Sequence, residues 1–322
     1  MFDQTTDNAD IIELQPRLQS TDAGVRRIAL IELADLEDPD GLPWLVQALL
    51  YDADTDVRCE AARLLEAWEE QQVVQALCIA LTDHSEKVRE QAAQSLSQLK
   101  TPAAGRVILP WAIHSEASVR RRALRALREL RLPESADAAT NALTDNDESV
   151  RREAVGVLGW LKHEAALPAL AKLASVDPHL DVRRAATGAL GLATNAEVLP
   201  ALYTALQDTE WQVREEAANT LGKLRFEESG NALMSALADH YWQVRLQAAR
   251  ALGKLRFITA TDALIETLNH SISNLRKEAA LALGELGNQN ALPALLQAEN
   301  DSDPEVRKAV RIAIAQLERQ AF

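Results

Sequence analysis

The chain is poor in aromatic residues. Phe, Trp and Tyr make up 4% of its 322 residues, although 47% are hydrophobic, so Ala and Leu dominate. That balance disfavours a sheet core of Val, Ile and Tyr and fits small side chains on closely packed helices. No apolar run approaches the length of a membrane span, so none is expected. The opening residues, MFDQTTDNAD, lack both a basic and an apolar leader region, which argues against a secretory signal. Cysteine is nearly missing too. Cys59 and Cys78 lie 19 apart outside any CxxC pattern, and read as buried thiols of a cytoplasmic protein rather than a disulfide or metal site. No Ser/Gly/Pro-rich linker interrupts the chain, and no HExxH, GxSxG or P-loop motif occurs in it.

Positive charge is short at one end. Residues 1–70 hold 17 Asp and Glu against 5 Lys and Arg, while residues 71–322 hold 31 against 29. The net charge of −14 is therefore concentrated in an N-terminal acidic pole. Bulk acidity of this kind argues against general nucleic-acid affinity.

What the chain has is a repeat. Val-Arg or Leu-Arg recurs at Arg26, Arg58, Arg89, Arg120, Arg151, Arg183, Arg214, Arg245, Arg276 and Arg307, at spacings of 31 or 32 residues. Three residues after each Arg stands Ala, from Ala29 to Ala279, with Val310 last. Seven residues after it stands Leu, from Leu33 to Leu283, with Ile314 last. The Val, Ala and Leu lie at i, i+4 and i+8, one stripe of a helix, and the small Ala lets a neighbouring helix approach. Six residues before the Arg stands an acid in seven repeats (Asp52, Asp83, Asp145, Asp177, Asp208, Asp239, Asp301), with Ser20, His114 and His270 elsewhere. Such an Asp can accept backbone N–H groups in the turn, or meet an Arg of its own or the next repeat. Pro43, Pro168, Pro200 and Pro293 open a shorter preceding helix, as proline does in a first turn. Gly159, Gly191, Gly222, Gly253 and Gly284 form a late column suited to close helix approach. Each unit is helix, turn, helix. Two helices cannot bury their apolar faces alone, so stacked units are expected to share a continuous core in one domain, residues 1–322.

The unit D-x-x-x-x-VR-x-x-A-x-x-x-L-G-x-L, as in Asp208–Leu224, resembles a HEAT repeat, and more narrowly the short HEAT-like repeat of phycobilisome bilin lyases. The resemblance covers essentially the whole chain. It implies an all-α solenoid of about ten repeats, with first helices on the convex side and second helices lining a concave groove. It also implies a non-catalytic protein-binding scaffold or, as the alternative, a chromophore lyase or cofactor-handling chaperone. Deoxyhypusine hydroxylase, a HEAT-repeat enzyme, uses several His-Glu pairs for two irons. This chain has one such pair, His163-Glu164, so that activity is not expected. No residue is singled out as catalytic, and no metal or cofactor is called for.

Two clusters remain outside the columns. Arg121, Arg125 and Arg128 are spaced i, i+4, i+7 and share one helical face, and Arg152 and Arg184 are the equivalents of Arg121 in the next two repeats. They read either as a solvated face salted with Glu129 and Glu153, or as a basic stripe that docks an acidic partner. The aromatics gather in the later repeats, with Trp160, Trp211 and Trp242 the candidates for partner contact. Equivalent positions to Trp211 and Trp242 hold Ala, Thr, Glu, Leu, Ser or Pro, so the column does not need Trp to fold. A stacked Trp pair would also suit a planar ligand, such as the tetrapyrrole of a pigment-carrying protein. Phe226 and Phe257 are expected as core, packing on the next unit.

Overall fold

A computed structural model describes residues 6–320. Its fold class is an all-α solenoid, with helices and short 3-10 turns and no strand among the described residues. The chain divides into two compact units, Met1–Leu161 and Lys162–Phe322.

The first unit holds five helix pairs: α1 (Ala9–Leu18) with α2 (Ala23–Asp35), α3 (Leu42–Tyr51) with α4 (Thr55–Leu64), α5 (Gln71–Ala80) with α6 (Glu86–Leu96), α7 (Pro102–Ile108) with α8 (Ala117–Leu130), and α9 (Ser135–Ala142) with α10 (Glu148–Leu161). The second holds five more: α11 (Leu167–Val176) with α12 (Leu180–Ala189), α13 (Leu199–Ala205) with α14 (Trp211–Leu224), α15 (Gly230–Ala236) with α16 (Trp242–Leu255), α17 (Thr261–Thr267) with α18 (Ser273–Leu286), and α19 (Leu292–Ala298) with α20 (Pro304–Gln320). Pro43, Pro168, Pro200 and Pro293 fall in the first turns of α3, α11, α13 and α19, where a missing N–H costs nothing.

The Val, Ala and Leu columns form the core. From Val57 to Leu283 every member is at most 1% exposed. In the second unit the second helices α14, α16, α18 and α20 pack flank to flank, while α13, α15, α17 and α19 scarcely meet. The second helices of this unit thus form its most closely packed layer. Glycine sets how close they come. A Cβ on Gly222 would stand 2.8 Å from the Cβ of Ala251, and one on Gly253 would stand 2.8 Å from the Cα of Ala282. Gly191 is different: its nearest neighbour would be Thr220 Cγ2 at 3.5 Å, an ordinary contact.

Helix ends follow a second, quieter column. Eleven residues after the repeat Arg the backbone turns left-handed at Glu37, Arg131, Lys162, Arg225 and Arg256, and Gly287 adopts the same conformation at φ 76°. A left-handed residue at this place ends the helix and lets its last carbonyls accept hydrogen bonds. Arg225 N–H, for example, donates to Leu221 O at 3.0 Å.

Phe257 follows α16, and its ring lies over Gly230 at the start of α15, in its own pair. The left-handed turn at Arg256 sends the chain back along the pair. Phe226 and Phe257 are both only half-buried.

Candidate functional site

The repeated Arg and Asp are joined in a ladder. Arg26 Nε and Nη2 donate to both carboxylate oxygens of Asp52, the Asp of the following repeat, each at 2.7 Å. The same bidentate bond joins Arg58 to Asp83, Arg120 to Asp145, Arg183 to Asp208, Arg214 to Asp239 and Arg276 to Asp301. The third guanidinium nitrogen, Nη1, donates back to the carbonyl six residues earlier, as Arg214 does to Asp208 O at 2.8 Å. Each Asp in turn accepts the backbone N–H two residues on, as Asp208 does from Glu210 at 2.9 Å. The guanidinium fork thus ties its own turn to the next one, with few lone pairs left unsatisfied. Burial alone would raise the Asp208 carboxyl, but Arg183 and the Glu210 N–H outweigh it and hold it below the ordinary value. Asp239 is held down in the same way by Arg214 and the Tyr241 N–H. These residues are occupied in structure.

The candidate arginines stand apart from the ladder, on second helices. On α8, Arg121 is half-buried and Arg125 exposed. Arg125 lies 3.7 Å from Glu90, at the outer limit of an ion pair. Arg128 is tied down: it pairs with Glu129 at 3.1 Å and with the buried Glu153 at 3.2 Å. Arg152 is exposed on α10 and reaches Glu153 at 3.4 Å. Arg184 is exposed on α12, in the second unit. Arg122, which was not singled out, is 3% exposed and pairs with Glu86 and Glu90 of α6. Arg125, Arg128, Lys100 and Glu129 border a polar hollow of about 260 Å³.

The three tryptophans have separate surroundings. Trp160 is 48% exposed, with the Arg131 guanidinium 4.6 Å from its ring centre in a cation–π contact. Trp211, the first residue of α14, stacks on Tyr241 rather than on Trp242, with ring centres 5.7 Å apart and planes at 14°. The Arg214 guanidinium lies 5.6 Å from the same Tyr241 ring. Trp242 opens α16 and is half-buried. Tyr241 was missed because it sits at a turn position that holds Asp, Ser, Glu, His or Ile elsewhere.

Cys78 is buried, which pushes its thiol up, and Cys59 is half-buried; both are free. Among the described residues no group of His, Cys, Asp and Glu is placed to hold a metal ion. No helix among them is long and apolar enough to cross a membrane.

Comparison with known proteins agrees with this architecture. The family model described as HEAT repeats matches residues 42–112, 106–191, 172–253 and 230–315. Among solved structures, the chain is similar to Kap95p from a structure of Kap95p with RanGDP, at TM-score 0.70 and 14% identity, over 97% of this chain and 50% of that one. It is similar to importin beta at TM-score 0.66 and 15% identity, over 95% of this chain and 50% of that one. It is also similar to the Escherichia coli protein YibA, at TM-score 0.62 and 20% identity, over 84% of this chain and 98% of that one. At these identities the likeness is one of fold. Among the curated proteins, none is similar enough in sequence to match.

Proposed function

The chain belongs to the HEAT-repeat family, and from that premise we propose that it is a non-catalytic scaffold that holds a protein partner against its second-helix face. The supporting observation is a division of labour among its arginines. Most of the periodic ones are locked into the ladder, whereas Arg125 and Arg152 in the first unit and Arg184 in the second project from second helices with their side chains exposed. Exposed guanidinium groups on a rigid helical array suit an acidic protein surface, which they meet through charge-assisted bonds. Kap95p, a solenoid of similar fold, binds RanGDP. A partner that is acidic where it meets α8 and α10 is the reading we favour, and the acidic N-terminal repeats would repel the same surface and set its orientation. The chain acts without a cofactor in this reading, from the cytoplasm, with its ten repeats as one domain.

The test is affinity purification with mass spectrometry, comparing the natural chain with one in which Arg121, Arg125, Arg152 and Arg184 are Gln. Arg128 is left alone because it neutralises buried Glu153. Helical circular dichroism and melting are expected to stay nearly unchanged, with capture of the partner falling about tenfold or more. Undiminished capture would sink the basic-face reading. The chromophore-handling alternative has its own test, a visible absorption titration with a free bilin.

A further inference from the structure

The ladder has two irregular rungs. In two places the turn Asp is replaced by His: His114 follows Arg89, and His270 follows Arg245. Neither His can take over the pairing. The Nδ1 of His114 accepts from Glu116 N–H at 3.1 Å, and that of His270 accepts from Ile272 N–H at 3.0 Å. A neutral imidazole that accepts at Nδ1 carries its hydrogen on Nε2, so it has no lone pair left for an arginine. Each His thus keeps the turn-closing half of the Asp's task and loses the Arg-binding half.

The two arginines meet this loss differently. Arg89 turns to its own helix, where Glu86 accepts from Nε and Nη2, and it keeps the Nη1 bond to Asp83 O. Arg245 has no such recourse, because the position equivalent to Glu86 holds Trp242. The other nine repeat arginines all donate Nη1 to the carbonyl six residues back. Among the described residues, Arg245 has no carboxylate partner, and its buried Nε has no hydrogen-bond acceptor. A guanidinium with a desolvated, unpaired N–H is costly for the isolated protein and correspondingly receptive to an anion. The charges around it reinforce that bias. Burial, together with the nearby Arg245 and Arg276, pushes the His270 imidazole down, so it adds no positive charge at neutral pH and supplies no negative one. Carboxylates do not crowd the rung: Asp239 is engaged by Arg214 and Asp301 by Arg276. One helical turn away on the same helix stands Trp242, half-buried.

We propose that Arg245 is a carboxylate-binding site for an acidic peptide segment of a protein partner, which supplies in trans the acid that His270 does not, with a neighbouring apolar side chain resting on Trp242. The inference rests on the scaffold reading above and names a second contact, at the turn edge of α16 rather than on α8 and α10. A peptide is favoured over a lone anion because Trp242 stands one helical turn from Arg245, and a segment with alternating acidic and aromatic residues engages both.

The probe is a fluorescein-labelled Glu-Phe-Glu-Phe-Glu amide, titrated with the full chain and followed by anisotropy, with Gln-Phe-Gln-Phe-Gln amide as control. Saturable binding is expected for the acidic peptide and binding weaker by about tenfold or more for the control, the effect of one charge-assisted contact. Arg245→Gln is expected to weaken the acidic peptide by a similar factor. His270→Asp is the more telling variant: it restores the rung within the chain, so it is expected to raise the melting temperature while excluding the peptide. Equal binding by the natural chain, Arg245→Gln and His270→Asp overturns the proposal, and so does the lack of saturable binding at millimolar peptide. If the peptide fails while the four-arginine variant still loses its partner, this site falls and the scaffold reading stands. Loss of neither partner nor peptide in their respective variants removes both.

Discussion

Gly222 shows how much of this molecule is decided by single atoms. Glycine in a helix interior costs about 1 kcal/mol relative to alanine, so a Gly→Ala change would ordinarily stabilise. At Gly222 the new methyl would stand 2.8 Å from the Cβ and 3.0 Å from the Cα of Ala251, and the latter is backbone that cannot swing away. Overpacking of this kind costs about 1–3 kcal/mol, which exceeds the propensity gain. Gly191 occupies the same column with its nearest neighbour at 3.5 Å. We therefore expect opposite signs: Gly222→Ala lowers stability by about 1 kcal/mol, and Gly191→Ala, in the 3-10 turn after α12, raises it by up to about 1 kcal/mol by restricting the unfolded chain. Urea unfolding of the two variants checks this, and a shared sign would mean that the column is set by propensity alone. The sequence shows both glycines in register and cannot separate them, because the difference lies in tenths of an ångström between α14 and α16.

At the scale of the helix, the second helices begin in two ways. Asp22, Asp54 and Asp147 cap theirs by accepting N–H groups of the first turn, as Asp54 does from Asp56 and Val57 at 2.9 and 3.2 Å. Glu210 stands at the same position before α14 and makes no side-chain cap bond, its extra methylene carrying the carboxylate past the amides. Glu210→Asp is expected to stabilise by about 0.5–1 kcal/mol, since a good N-cap is worth about 1 kcal/mol. A thermal melt indistinguishable from that of the natural chain would show that the Asp208 side chain, already bonded to Glu210 N–H, meets the need alone. Helix existence and pairing were legible in the sequence, because Val213, Ala217 and Leu221 recur in every unit. The left-handed helix ends were not, since Arg131, Arg225 and Arg256 adopt a conformation that only Gly287 announces by its residue type. The surface was legible only as a list of charges. Arg125 and Arg128 look alike in the chain, yet one is exposed and the other is bound to buried Glu153 from a different helix. Periodicity reports what every repeat shares, and an ion pair between non-repeating side chains leaves no periodic trace.

Within each unit the ladder makes stability sensitive to pH. The sequence allowed each Arg to meet the Asp of its own repeat or of the next; the structure selects the next, so every rung fastens two repeats together. The Asp side chains of these pairs are only 8–12% exposed, so salt screens them less than it screens surface pairs. Asp52, Asp83, Asp145, Asp208, Asp239 and Asp301 all have carboxyl groups held below their ordinary range. The unfolded chain therefore binds more protons than the folded one as pH falls through and below the ordinary Asp range, about 4. The stabilisation is fully present above that range and is lost as pH drops through the lower folded values. His270, also held down, adds a smaller loss that begins nearer pH 6.5. Because each repeat is stabilised by its neighbours, losing several rungs together should unfasten the stack cooperatively. Melting followed by circular dichroism is expected to change little from pH 7 to 5 and to fall steeply below about pH 4. In a chain carrying Arg214→Gln and Arg276→Gln, Asp239 and Asp301 return towards their unfolded values, so the melt starts lower at pH 7 and declines less on acidification. An equally steep decline in that variant would place the acid sensitivity elsewhere, in the carboxylate caps such as Asp147, whose Ser149 hydroxyl also holds its acid form back.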